Sequence, residues 1–114
     1  MILMNDFQKE PEKLKKEMIL AINRVLDSGW YVLGKEVDQF EKEWSAISGV
    51  KYGVGVANGM DAIEIALKSL DIGKGDEVIT TNMTAFATVL AIYRSGATPV
   101  IADIEPDTAL LDIK

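Results

Sequence analysis

The strongest constraint on how this chain can fold is a change of rhythm at Tyr52. From there, short strand-like runs alternate with segments of helical period. Tyr52 to Ala57 reads as a Gly-containing strand, and Met60 to Leu70 as a helix with Ile63, Ala66, Leu67 and Leu70 on its apolar face. Glu77 to Thr81 is a second strand, Thr84 to Ser95 a further helix-like run stopped by Gly96, and Thr98 to Ile104 a third strand. Strand, helix, strand, helix, strand in this order predicts an α/β layer with mainly parallel strands joined by crossover helices.

Two amphipathic helices are predicted ahead of that unit. Leu14, Met18, Ala21, Ile22, Val25 and Leu26 recur at three and four, with Pro11 suited to the first turn and Gly29 to the stop. After the loop Trp30 to Gly34, the residues Val37, Phe40, Trp44 and Ile47 repeat the pattern up to Gly49. A chain of 114 residues is the size of one small domain. The expectation is therefore a single domain over 1–114, with a helical segment at 1–50 and a βαβαβ segment at 51–114.

Composition narrows the chemistry. The chain has neither Cys nor His, which removes disulfides, thiol nucleophiles, imidazole bases and most transition-metal sites; no metal site is expected. Its formal charge of -6 opposes binding to nucleic acid or anionic lipid. Met1 to Asp6 holds no apolar stretch suited to a signal peptide or a membrane span, so a cytoplasmic protein is expected.

The junction Val54 to Ala62 is the most informative local feature. A small turn, Asn58-Gly59, opens a helix whose free N–H groups and dipole would favour an anion such as phosphate. The plainer alternative is a tight turn in which Asn58 or Asp61 merely caps the helix. No Gly-Lys-Ser/Thr follows, so this is not a nucleotide-triphosphate loop, and Gly53-Val54-Gly55 lies within the strand rather than at a dinucleotide-binding turn. The loop Thr80 to Thr88 should open on the same carboxyl edge of the sheet. There Phe86 could stack on a planar ring, with Thr84 or Thr88 donating hydrogen bonds. Alternatively Phe86, Val89, Leu90 and Tyr93 form the apolar face of a helix. Asp103 also falls on this edge, where capping is the simpler role. Lysines 35, 51, 68 and 74 fall in loops or on polar faces, and none has the desolvated setting of an amine nucleophile.

Taken in order, Asn23 to Val37, Val54 to Ala62, Gly73 to Ile79, Thr84 to Thr88 and Gly96 to Val100, with Asp103 and Asp107-Thr108 closing, resemble the DegT/DnrJ/EryC1/StrS family. The resemblance covers almost the whole chain. It implies part of the large domain of PLP-transferase fold type I, pyridoxal 5'-phosphate (PLP) as cofactor, and a homodimer with active sites at the interface. It also implies amino transfer from an amino-acid donor, glutamate or glutamine, to a keto sugar nucleotide, as in amino sugar or cell-surface polysaccharide biosynthesis.

By the same resemblance Asn58, Gly59 and Met60 form the phosphate-cradling turn, Thr84 and Phe86 lie in the segment that covers the pyridine ring, and the Trp30-Tyr31 loop approaches the partner's site. Many members have Gly-Thr where this chain has Gly59-Met60, leaving only backbone donation. The aromatic commonly follows the Thr directly, whereas here Ala85 intervenes. In the family the Schiff-base lysine and the acid facing the pyridine nitrogen lie beyond the matching portion, so no catalytic residue is assigned and the chain alone is expected to be incompetent. The strands that separate the first strand from the other two are also expected to be missing, which predicts either a three-stranded repacking or an intimate oligomer. A non-catalytic module that binds a phosphate ligand or oligomerises is the other possibility.

Overall fold

In the computed structural model, residues 4–113 are described, and they fall into two compact units, one ending at Gly55 and the other beginning at Val56.

The first unit is helical. A short 3-10 turn, Phe7–Lys9, precedes α1 (Glu12–Ser28) and α2 (Lys35–Ile47). Pro11 caps α1, and Gly29 ends it in the left-handed region at φ 65°, a conformation that costs Gly no Cβ clash. The loop between the helices is organised around Trp30. Its amide donates to Ser28 Oγ (3.1 Å) and its indole N–H to the Val32 carbonyl (2.6 Å). Arg24 bridges the loop with a two-point ion pair to Glu36 (2.8 and 3.2 Å). Phe40 and Trp44 stack one turn apart on α2.

The expected strand at Tyr52 to Ala57 joins no ladder among the described residues. Extended backbone becomes a strand only when another edge pairs with it, and here one of the segment's donors goes to a side chain instead. Gly55 N–H donates to the Glu41 carboxylate (2.6 Å), and a Cβ at Gly53 would lie 3.1 Å from the Glu41 carbonyl. Within the first unit, the two glycines let the chain lie against α2.

The second unit contains α3 (Gly59–Ser69), β1 (Glu77–Thr81), α4 (Phe86–Ser95) and β2 (Thr98–Ala102). β1 and β2 pair in parallel, from Glu77 with Thr98 to Thr81 with Ala102, with α4 as the crossover. The partial α/β architecture and the parallel strands match the sequence expectation. The sheet, however, is two-stranded, so the three-stranded repacking is corrected. β2 is also shorter than expected: after Ala102 the chain enters a hairpin in which Ile104 bridges Leu111 antiparallel. None of the helices described is long and apolar enough to cross a membrane.

The core is small and centres on α4. Ala91, Ile92 and Ala97 are buried, Ile92 to 2% exposure. α4 packs on α3 and on both strands, whereas the extensive packing of α3 is all on α4. The expected apolar face of α3 is accordingly only half right. Ile63 and Leu67 are half-buried, but Ala66 and Leu70 are exposed and Glu64 is buried in their place. On α4 the stripe Phe86, Val89, Leu90, Tyr93 is likewise corrected. Ala91 and Ile92, on the other side, enter the core, and Phe86 and Tyr93 are exposed.

Candidate functional site

The site is built from the ends of α3 and α4, whose directions follow from the loops. Gly73, four residues past the end of α3, packs so closely on the end of α4 that a Cβ there would lie 3.2 Å from the Ser95 carbonyl. Gly96, at φ 97°, approaches the Lys74 amide in the same way. The carboxyl ends of both helices therefore sit together. Since α4 begins after β1 and ends just before β2, both amino ends point to the carboxyl edge of the strands, where open α/β sheets hold ligands.

At the start of α3, Asn58 has extended backbone and its Oδ1 accepts from the Asp61 amide (3.0 Å), while its Nδ2 donates to the Asp61 carboxylate (3.1 Å). Asn58 is thus a working cap, and its side chain is committed to the helix. The amides of Gly59 and Met60 remain without a protein partner among the described residues, and no atom would meet a Cβ at Gly59 within 4 Å. Two N–H groups without a protein partner thus stand at the positive end of an 11-residue helix dipole. This is the arrangement that holds a phosphate.

Thr84 lies two residues before α4 rather than within it. Ala85 takes extended backbone as the cap, and Thr84 Oγ1 is hydrogen-bonded to Thr88 Oγ1 (3.0 Å). Phe86 is the first helical residue and its side chain is 78% exposed. A planar aromatic face is therefore presented rather than packed. Asn58, Gly59, Met60, Thr84 and Phe86 thus all fall at the same end of the second unit, and the described residues there fit a phosphorylated ring compound: donors for the anion, an uncovered ring for the plane.

One cluster lay outside the sequence expectation. Glu64, 8% exposed, receives Lys68 Nζ at Oε1 (2.6 Å) and pairs with Arg94 Nε at Oε2 (2.8 Å). The hydrogen bond from Lys68 holds its carboxyl below the ordinary carboxylate value; partial burial opposes this, and the charges of Arg94 and Lys68 assist. The Glu64-Lys68 spacing of four was readable as a helical ion pair, but the Arg94 contact was not, because it depends on which faces of α3 and α4 meet.

In the first unit, a cleft of about 770 Å³ is bordered by Arg24, Val25, Trp30, Tyr31, Glu36 and Val37 among others. Its rim carries the loop that the resemblance relates to a partner's site.

Residues 12–114 match the sequence model of the DegT/DnrJ/EryC1/StrS aminotransferase family. The chain is 49% identical over 107 residues to the dTDP-3-amino-3,6-dideoxy-alpha-D-galactopyranose transaminase of Aneurinibacillus thermoaerophilus, a match covering 94% of this chain and 29% of that protein. Its fold is similar to that of DesV from S. venezuelae, with a TM-score of 0.85 at 48% identity over 89% of this chain and 27% of the other. It is also similar to E. coli GDP-4-keto-6-deoxy-D-mannose-3-dehydratase, solved with bound hydrated PLP, with a TM-score of 0.76 at 30% identity over 83% of this chain and 26% of that one. The chain spans about 29% of the length of the first of these relatives.

Proposed function

Because the chain belongs to the DegT/DnrJ/EryC1/StrS aminotransferase family, we propose that it is the phosphate-holding and ring-covering portion of a PLP-dependent aminotransferase acting on keto sugar nucleotides. The observation that carries this reading is the pair of free amides at Gly59 and Met60, sharing one edge with the exposed ring of Phe86. The amides and the α3 dipole hold the cofactor's phosphate, and Asn58 acts by fixing the turn. Phe86 stacks on the pyridine ring and keeps water from that face, while Thr84 offers a hydroxyl nearby. Bound PLP supplies an electron sink for the carbon that carries the amino group.

The substrate class rests on relatives such as the Aneurinibacillus transaminase; the E. coli dehydratase relative indicates that a PLP site alone does not select amino transfer. The donor amino acid, the homodimer and a cytoplasmic setting belong to the same reading of the whole protein. The 114 residues alone are inactive in this account. Every described lysine is exposed, and none has the desolvated setting of an amine nucleophile.

Titrating the ¹⁵N-labelled chain with PLP tests the reading. The largest amide shifts are expected at Gly59 and Met60, and shifts confined to residues elsewhere would refute the phosphate cradle. Borohydride treatment of the same mixture should leave no lysine uniquely modified, and a single defined adduct would refute the claim of inactivity.

A further inference from the structure

We propose that Glu64 is a positioning residue: by joining Lys68 on its own helix to Arg94 on α4, it fixes the axial register of α3 against α4 and so sets where the Gly59-Met60 turn stands relative to Thr84 and Phe86. The inference rests on the functional reading above and adds to it the part that aligns the two halves of the site.

Three observations carry it. The first is that α3 has its extensive packing on α4 alone, so that interface decides where the α3 amino end lies. The second is that the apolar content of the interface is modest. α3 contributes the half-buried Ile63 and Leu67 against a helix whose buried residues are Ala91 and Ile92. Ridges of small and aliphatic side chains tolerate sliding, because each step along the axis meets similar neighbours.

The third is the geometry of the charged cluster. Among the described residues Glu64 is the one buried side chain that carries charge, and each of its oxygens has its own cation, at 2.6 and 2.8 Å. A shift of one residue moves a helix by about 1.5 Å along its axis. That displacement would break the Arg94 contact and leave a desolvated carboxylate short of a partner, a state far less favourable than a displaced methyl group. A buried carboxylate held between two half-exposed cations is better suited to fixing register than to adding net stability.

The chain lacks Cys, so the variants Ser69→Cys and Phe86→Cys can be spin-labelled together at the carboxyl end of α3 and the amino end of α4, which makes the measured distance run largely along the helix axes. Pulsed electron resonance then reads their separation in the full chain without any ligand. The parent should give one narrow distance. Glu64→Gln and Arg94→Gln should each broaden it or move it by about 1.5 Å or more, under conditions where circular dichroism shows a folded chain. Arg94 is half exposed, so Arg94→Gln carries the test even if Glu64→Gln fails to fold. A cluster that only stabilises would lower the melting temperature and leave the distance of the folded population at the parent value, and that outcome overturns the proposal. Since no cofactor is present, failure of Gly59 and Met60 to bind PLP would leave this result intact, and the reverse also holds.

Discussion

The units on either side of Gly55 are assembled from helices of similar amphipathic pattern, but they treat that pattern differently. In the first, α1 buries none of its residues and the one buried residue of α2 is Ser45, while Leu14, Met18, Ile22, Leu26, Phe40, Trp44 and Ile47 stay exposed. In the second, α4 covers two strands and a helix and shields Ala91 and Ile92. A helical stripe specifies a face that wants covering, and only a crossover topology guarantees that the same stretch of chain supplies the cover. The ion pairs follow the same division. Arg24-Glu36 ties two exposed groups across a loop, whereas Glu64 is held inside a helix interface.

This contrast can be broken most forcefully at Ile92. Ile92→Ala removes the largest fully buried side chain and should cost the second unit about 2–5 kcal/mol. Chemical denaturation followed at the amide resonances of β1, α4 and β2 reads that loss. A loss well under 1 kcal/mol would mean that α4 is not the centre of the core.

Asn58→Ala deletes the α3 cap and should cost about 1 kcal/mol. Asn58→Asp, which retains an accepting oxygen, should recover most of that loss in the same denaturation midpoint. Equal losses for both variants would deny the side chain its capping role.

The two carboxylates provide the finest comparison. Both have folded-state pKa values held below the ordinary one, by Lys68 at Glu64 and by Arg24 at Glu36. A group so depressed contributes stability that is present above its unfolded pKa and is lost as pH falls through the folded value. Melting temperature should therefore drop on acidification below the normal Glu range, about pH 4.3. Glu64→Gln should flatten that drop in the second unit. Glu36→Gln should change little at any pH, since Glu36 and its partner Arg24 are both exposed and solvent screens the pair. A larger acid effect at Glu36 would reverse the contrast between the units.

Much of this was legible in the residues, and the limits have physical causes. Gly29 and Gly96 marked helix ends because each takes a left-handed conformation there. The expected bounds of β1 are those observed, and the Asn58 turn allows both a cap and an anion cradle. The structure supplies the cap directly and leaves two amides free for the other role. The expected first strand does not form because the sequence displays its apolar content but not its lack of a pairing edge among the described residues. The expected helix start at Thr84 is two residues too early, since the extended backbone of Ala85 carries no signature in an alanine. The sequence does not single out Glu64, because the Arg94 that completes its cluster lies on a different element. The hairpin after Ala102 went unread because Ala109, at φ 56°, makes its turn without the usual Gly or Asn.

The crossover from Glu77 to Thr98 also has a meaning in time. Its strands pair over a short stretch of sequence, so the loop to be closed is small and its entropic cost modest. During synthesis, β1, α4 and β2 can assemble as soon as Ala102 has cleared the ribosome, before any later residue is available. The edge that gathers Asn58, Gly59, Met60, Thr84 and Phe86 would then be laid down early, as soon as the crossover closes. Arrested nascent chains released at successive lengths should acquire protease resistance in this region once β2 emerges.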